Sequence, residues 1–120
     1  LAEPLLVWSY SRCSTCRKAL AWLEQQGIVH QVVDITESPP DRSMLAAAAD
    51  HFGRRAPLFN TSGQSYRALG SAVVKAMSDP EALDALAADG KLIKRPFVAL
   101  PDGRFLVGFK QDQWIEAFGR

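Results

Sequence analysis

The spacing of apolar residues changes period soon after the chain begins, and the change brackets its first loop. Leu5-Leu6-Val7-Trp8 is a continuous apolar run, and Leu5–Ser9 reads as a short buried strand. Cys16, Ala19, Leu20, Leu23 and Gly27 then recur at spacings of 3, 1, 3 and 4, the stripe of an amphipathic helix from Cys16 to Gln26. Gly27 is its stop signal. Val29–Ile35 alternates well enough for a second strand centred on Val32 and Val33. Thr36–Asp41, with Pro39-Pro40, is a breaker, and Asp41 or Ser43 caps a second, Ala-rich helix from Met44 to Phe52.

Phe59–Gly63 is a polar turn, followed by short helical pieces at Tyr66–Leu69 and Ala72–Met77. Ser78-Asp79-Pro80-Glu81 combines a capping side chain, an early proline and acid near the positive helix end, which predicts a helix to Asp89 with a stop at Gly90. Phe97–Leu100 is a strand after Pro96, Pro101-Asp102-Gly103-Arg104 a turn, and Phe105–Phe109 the returning strand of a hairpin. A helix at Asp112–Phe118 follows. The order predicts one α/β domain: a mixed four-stranded sheet with a right-handed β-α-β unit at one end and an antiparallel hairpin at the other.

Composition narrows the function classes. The 120 residues suit one domain with a core that needs no staples, and 48% hydrophobic with 22% charged residues is ordinary for a globular protein. A net charge of +1 argues against a nucleic-acid surface. No basic recognition helix or helix-turn-helix is visible, so direct DNA binding is not expected. The longest apolar stretch, Met44–Ala49, is too short to cross a bilayer. Leu1 stands close to the first strand without a basic leader or apolar run, so no signal peptide is expected, and the expected compartment is the cytoplasm.

The only two cysteines, Cys13 and Cys16, form C-S-T-C at the junction of first strand and first helix. In a reducing compartment that pattern points to catalytic thiols. Disulfide exchange needs a thiolate, and a helix N-terminus favours one through its unpaired N–H groups and dipole. Cys13 falls just outside the helix, with Arg12, Arg17 and Lys18 adding positive charge close in sequence and Arg12 and Arg17 as candidates to bind an anionic substrate, while Cys16 falls one turn further in. The spacing supplies an exposed attacking sulfur and a less exposed resolving one. Two other readings of the pair remain: small buried apolar residues, or half of a zinc site. For zinc only His30 and His51 could complete the set, and neither follows a ligand spacing; His30 reads as the end of a loop, His51 as the C-terminal part of a helix. No metal and no tightly bound cofactor are expected. Pro96 is trans by default, and Arg67 and Arg95, read alone, are solvated charges.

Four ordered stretches carry a resemblance: Y-S-R-C-S-T-C-R-K-A-L-A-W-L (Tyr10–Leu23), F-N-T-S-G-Q-S-Y-R (Phe59–Arg67), L-I-K-R-P-F (Leu92–Phe97) and D-G-R-F-L-V-G-F-K (Asp102–Lys110). In these the chain resembles the arsenate reductase (ArsC)/Spx family. The resemblance implies a thioredoxin-like (glutaredoxin-like) fold over residues 1–120, with a helical insertion at about 40–90. It implies that Cys13 is the attacking cysteine and that Pro96 is cis and faces the pair. It further implies that Arg67 and Arg95 bind an oxyanion, with Gly108 standing where a third arginine is expected.

Two functions follow from that resemblance. One is an arsenate reductase-like thiol–disulfide oxidoreductase in which Cys13 attacks and Cys16 or glutathione resolves. Glutathione would be a co-substrate, and glutaredoxin or thioredoxin the reductant. Glutaredoxin-dependent arsenate reductases commonly lack a cysteine at the position of Cys16, whereas the Spx-type branch carries both. The other function is therefore a redox-sensing transcription regulator that binds RNA polymerase.

Overall fold

A computed structural model describes residues 3–120, so the expectation placed on Leu1 lies outside the described residues. The elements are β1 (Leu5–Ser9), α1 (Ser14–Gln25), β2 (His30–Asp34), α2 (Arg42–Phe52), α3 (Gln64–Leu69), α4 (Ser71–Ala76), α5 (Asp79–Ala88), β3 (Phe97–Ala99), β4 (Phe105–Val107) and α6 (Gln111–Ala117). Single 3-10 turns occupy Ala56–Leu58 and Gly90–Leu92. The contacts divide into two compact units: the chain to Val33 with Arg95–Arg120, and Asp34–Lys94.

The first unit is built on a mixed four-stranded sheet of order β2-β1-β3-β4. β1 and β3 are antiparallel, with Leu6 opposite Ala99, Val7 opposite Val98 and Trp8 opposite Phe97. β3 and β4 form the antiparallel hairpin expected around Asp102-Gly103. The buried face of α1 supplies Ala19, Trp22 and Leu23, which pack with Leu5, Val7, Val98, Leu100 and Trp114. Trp22 meets Trp114 edge-on at 5.9 Å between ring centroids, and Phe109 meets Trp114 at 4.9 Å. Such aromatic pairs each add about 0.5–1.5 kcal/mol beyond the area they bury.

In the second unit, α2 packs on α5 and α3 on α4. Asp41, not Ser43, caps α2, accepting from the Met44 N–H at 2.8 Å. Ser78 and Glu81 close a reciprocal capping box at the start of α5. Phe59 bridges to Ile93 antiparallel, and Asn60 N–H donates to the Leu92 carbonyl at 2.8 Å.

Several boundaries differ from the sequence reading, each for a local reason. Helix α1 begins at Ser14, two residues before the apolar stripe, because a first turn can be polar once its N–H groups are capped. Strand β2 is half-exposed, with Val32 52% accessible, since it lies at the sheet edge where apolar burial is incomplete. β4 stops at Val107 because Gly108 turns to φ +68°. Gly90 opens a 3-10 turn instead of closing α5. A Cβ there would overlap the Ile35 carbonyl, so only glycine permits this close backbone approach.

Gly90→Ala should therefore destabilise the protein by about 1–3 kcal/mol, the usual cost of forced overpacking, read as a lower urea midpoint at unchanged slope. An unchanged midpoint would show that the Ile35 segment yields freely.

Candidate active site

Strand β1 ends at Ser9, and a tight turn follows in which Cys13 N–H donates to the Tyr10 carbonyl at 3.0 Å. Cys13 is extended (φ −96°, ψ 114°) and is the N-cap of α1. Its Sγ accepts the Cys16 backbone N–H at 3.3 Å, and its carbonyl accepts the Arg17 N–H at 3.1 Å. The sulfur thus takes the place that a serine or aspartate oxygen occupies in an ordinary cap. An ionised sulfur accepts this bond better than a neutral one and also faces the positive end of the helix.

The two thiols are separated by environment. Burial alone would raise the Cys13 thiol, but it is outweighed by hydrogen bonds from the Cys16 side chain and N–H and by the hydrogen bond and charge of Arg95; the net shift is downward. Cys16 is fully buried, and burial, with the hydrogen bond and charge of Cys13, pushes its thiol up to about 11. A Tyr10 backbone bond and the Ser9 hydroxyl oppose that rise. Cys13 is half-buried and reachable. One sulfur is therefore poised to attack while the other is held protonated beside it.

Arg95 reaches Cys13 because of strand register. The β1–β3 pairing ends with Trp8 opposite Phe97, so the segments that carry Ser9-Tyr10 and Arg95-Pro96 leave the sheet from the same end. The Arg95 guanidinium carbon lies 5.1 Å from the Tyr10 ring centroid. The Arg95–Pro96 peptide is cis. The Pro96 carbonyl accepts the Gly108 N–H at 2.9 Å, and Gly108 has the left-handed φ of +68°. That backbone disfavours any residue with a side chain, which accounts locally for glycine where the family resemblance expects arginine.

Arg12 is exposed in the turn before Cys13. Arg17 is exposed and donates to the Ser11 carbonyl at 2.8 Å. Arg67 belongs to the second unit, where it donates to the Ser62 carbonyl at 2.7 Å. His30 opens β2 and His51 sits in the last turn of α2. Among the described residues, no three His, Cys, Asp or Glu side chains gather as a metal-binding group, and no helix is long and apolar enough to cross a membrane.

Sequence reasoning missed Ser9 and Tyr10. For Ser9 a signal was present. It shares the period-2 face of Leu5 and Val7, the face covered by Ala19 and Leu23 of α1, so a polar residue there meets Cys16 of the same helical stripe. Tyr10 carried no such signal, since its partner Arg95 is far along the chain.

The sheet, the helix-start cysteine pair and the cis proline before β3 define a thioredoxin-like protein. The ArsC family model matches residues 8–117, and the chain belongs to the ArsC family. It is 43% identical over 115 residues to the uncharacterized Bacillus subtilis protein YusI, covering 93% of this chain and 96% of that one. An arsenate reductase of Rhizobium meliloti is 37% identical over 94 residues (76% of this chain, 65% of that protein). A global transcriptional regulator Spx of Streptococcus mutans is 28% identical over 107 residues (88% and 76%). Among solved structures, a possible arsenate reductase from Streptococcus mutans superposes with TM-score 0.83 at 38% identity, covering 92% and 94% of the two chains. An arsenate reductase from Vibrio cholerae gives 0.80 at 28% identity, covering 97% and 98%.

Alkylation by iodoacetamide, followed by peptide mass mapping, should modify Cys13 first. Its rate should rise with pH through a midpoint below the ordinary thiol value, while Cys16 stays unmodified until the pH approaches about 11. Replacing Cys13 by Ser removes a neighbouring negative charge, so the Cys16 midpoint should fall in that variant. Equal rates at both sulfurs would remove the proposed asymmetry.

Proposed function

We propose that the protein is an arsenate reductase-like thiol–disulfide oxidoreductase with Cys13 as nucleophile and Cys16 as resolving thiol. The observation that carries this reading is the opposite displacement of the two thiols across a single helix cap. The Cys13 thiolate attacks a sulfur of glutathione disulfide, forming a mixed disulfide and releasing glutathione thiolate. Capture removes the Cys13 charge, and with it two of the three influences that keep Cys16 protonated, leaving burial alone. Cys16 then loses its proton and attacks Cys13 Sγ, expelling the second glutathione and closing Cys13–Cys16. A dithiol reductant of glutaredoxin or thioredoxin type returns both thiols.

An arsenate oxyanion fits the same sequence. Cys13 displaces an oxygen of As(V) as water, and attack by Cys16 or glutathione on Cys13 Sγ releases As(III) with the electron pair of the broken S–As bond. Arg95, beside Cys13, holds the anion or a glutathione carboxylate through charge-assisted hydrogen bonds.

The retained second cysteine favours a second reading, in which closing Cys13–Cys16 frees the Cys16 N–H of its cap and alters a partner-binding face in an Spx-type regulator. Its partner would be RNA polymerase.

Incubation with glutathione disulfide or arsenate, read by intact mass, should give a stable glutathione adduct on Cys13 in Cys16→Ser and none at Cys16 in Cys13→Ser. Equal labelling of the two variants would reverse the division of labour. For the regulatory reading, reduced and oxidised protein should retain RNA polymerase from a bacterial lysate to different extents; its absence from both samples would eliminate that reading.

A further inference from the structure

One residue touches Cys13, Cys16 and Arg95 together, and nothing in the exchange chemistry itself calls for it. Tyr10 accepts the Cys13 N–H on its carbonyl at 3.0 Å. Its backbone hydrogen bonds to the Cys16 sulfur, in the sense that favours the thiolate and therefore through its N–H. Its ring lies 5.1 Å from the Arg95 guanidinium carbon. The β1–β3 pairing prepares the last contact, because it ends with Trp8 opposite Phe97 and both residues lie just beyond that end. Tyr10 is thus tied by its own backbone to the Cys13 main chain and the Cys16 sulfur, and by its ring to the cation.

We infer that Tyr10 is a positioning residue whose aromatic face holds the Arg95 guanidinium against Cys13. This rests on the oxidoreductase reading above and adds to it the element that fixes the cation. A long arginine side chain has many solvated rotamers available, and only a fraction of them reach a given sulfur. An aromatic face within about 6 Å of the guanidinium attracts the cation through the ring quadrupole and narrows that choice. The ring, not the phenolic hydroxyl, performs this task. Ser9, Cys16 and the Tyr10 main chain act on the sulfurs without passing through Arg95, so the ring contribution is separable from theirs.

The separation can be measured as the pH midpoint of Cys13 alkylation in the full chain, with peptide mapping to confirm the site and circular dichroism to confirm folding. Tyr10→Phe keeps the ring and should coincide with the wild type. Tyr10→Leu should raise the midpoint by about half a pH unit, roughly a threefold slower reaction at a pH below it. Arg95→Met should raise it as well, and adding Tyr10→Leu to Arg95→Met should change nothing more. The inference is overturned if Tyr10→Leu leaves the midpoint in place, if Tyr10→Phe shifts it as far as Tyr10→Leu, or if the Tyr10→Leu shift persists undiminished without Arg95. A wild-type midpoint at the ordinary thiol value would overturn the parent reading too. A depressed wild-type midpoint that ignores Tyr10 would overturn this inference alone.

Discussion

The hydrogen bond from the Cys16 N–H to the Cys13 sulfur is the constraint from which the rest of the site follows. It caps α1, so the helix begins where the chemistry requires an acceptor. It also places one sulfur at the solvent-accessible mouth of the helix and the other one turn inside, within the packed face. Because the two residues share that cap, their ionisations oppose each other. A negative charge on the outer sulfur is stabilised by the inner residue and holds the inner thiol protonated.

The sheet supplies what the helix start lacks. Arg95 comes from the other side of the molecule's chain order, yet the antiparallel pairing of β1 with β3 brings it to the turn that carries Cys13. The same pairing sets Pro96 beside the end of β1, and the hairpin partner of β3 anchors it through Gly108. Sequence distance is thus erased by two strand registers. Arg95 bonds to Cys13 and acts on it by charge, while Arg17, near Cys13 in sequence, donates to the Ser11 carbonyl.

Membership of the ArsC family leaves two kinds of chemistry in view, because relatives carry the names of a reductase and of a transcriptional regulator. Both readings proposed above draw on the same pair of sulfurs. What distinguishes them physically is the fate of the disulfide: an intermediate to be reduced and used again, or a state whose altered helix cap is itself the signal. The buried Cys16, whose thiol burial and the neighbouring Cys13 push up to about 11, suits the intramolecular second step proposed above.

Much was legible from local pattern. Strand β1, the α1 stripe through Ala19 and Leu23, the Ser78–Glu81 capping box and the Asp102-Gly103 hairpin turn all depend on residues a few positions apart, and the chain alone determined them. So did the C-S-T-C pair and its place at a helix start. The polar first turn of α1, the exposure of Val32 at an edge and the service of Gly90 as a close-approach residue were decided by the assembled structure. The same holds for the partnership of Tyr10, Arg95 and Cys13. Periodicity reports which face of an element is buried, but not which distant element will cover it. A thiol's ionisation depends on the charges and donors that the finished fold brings within a few ångströms.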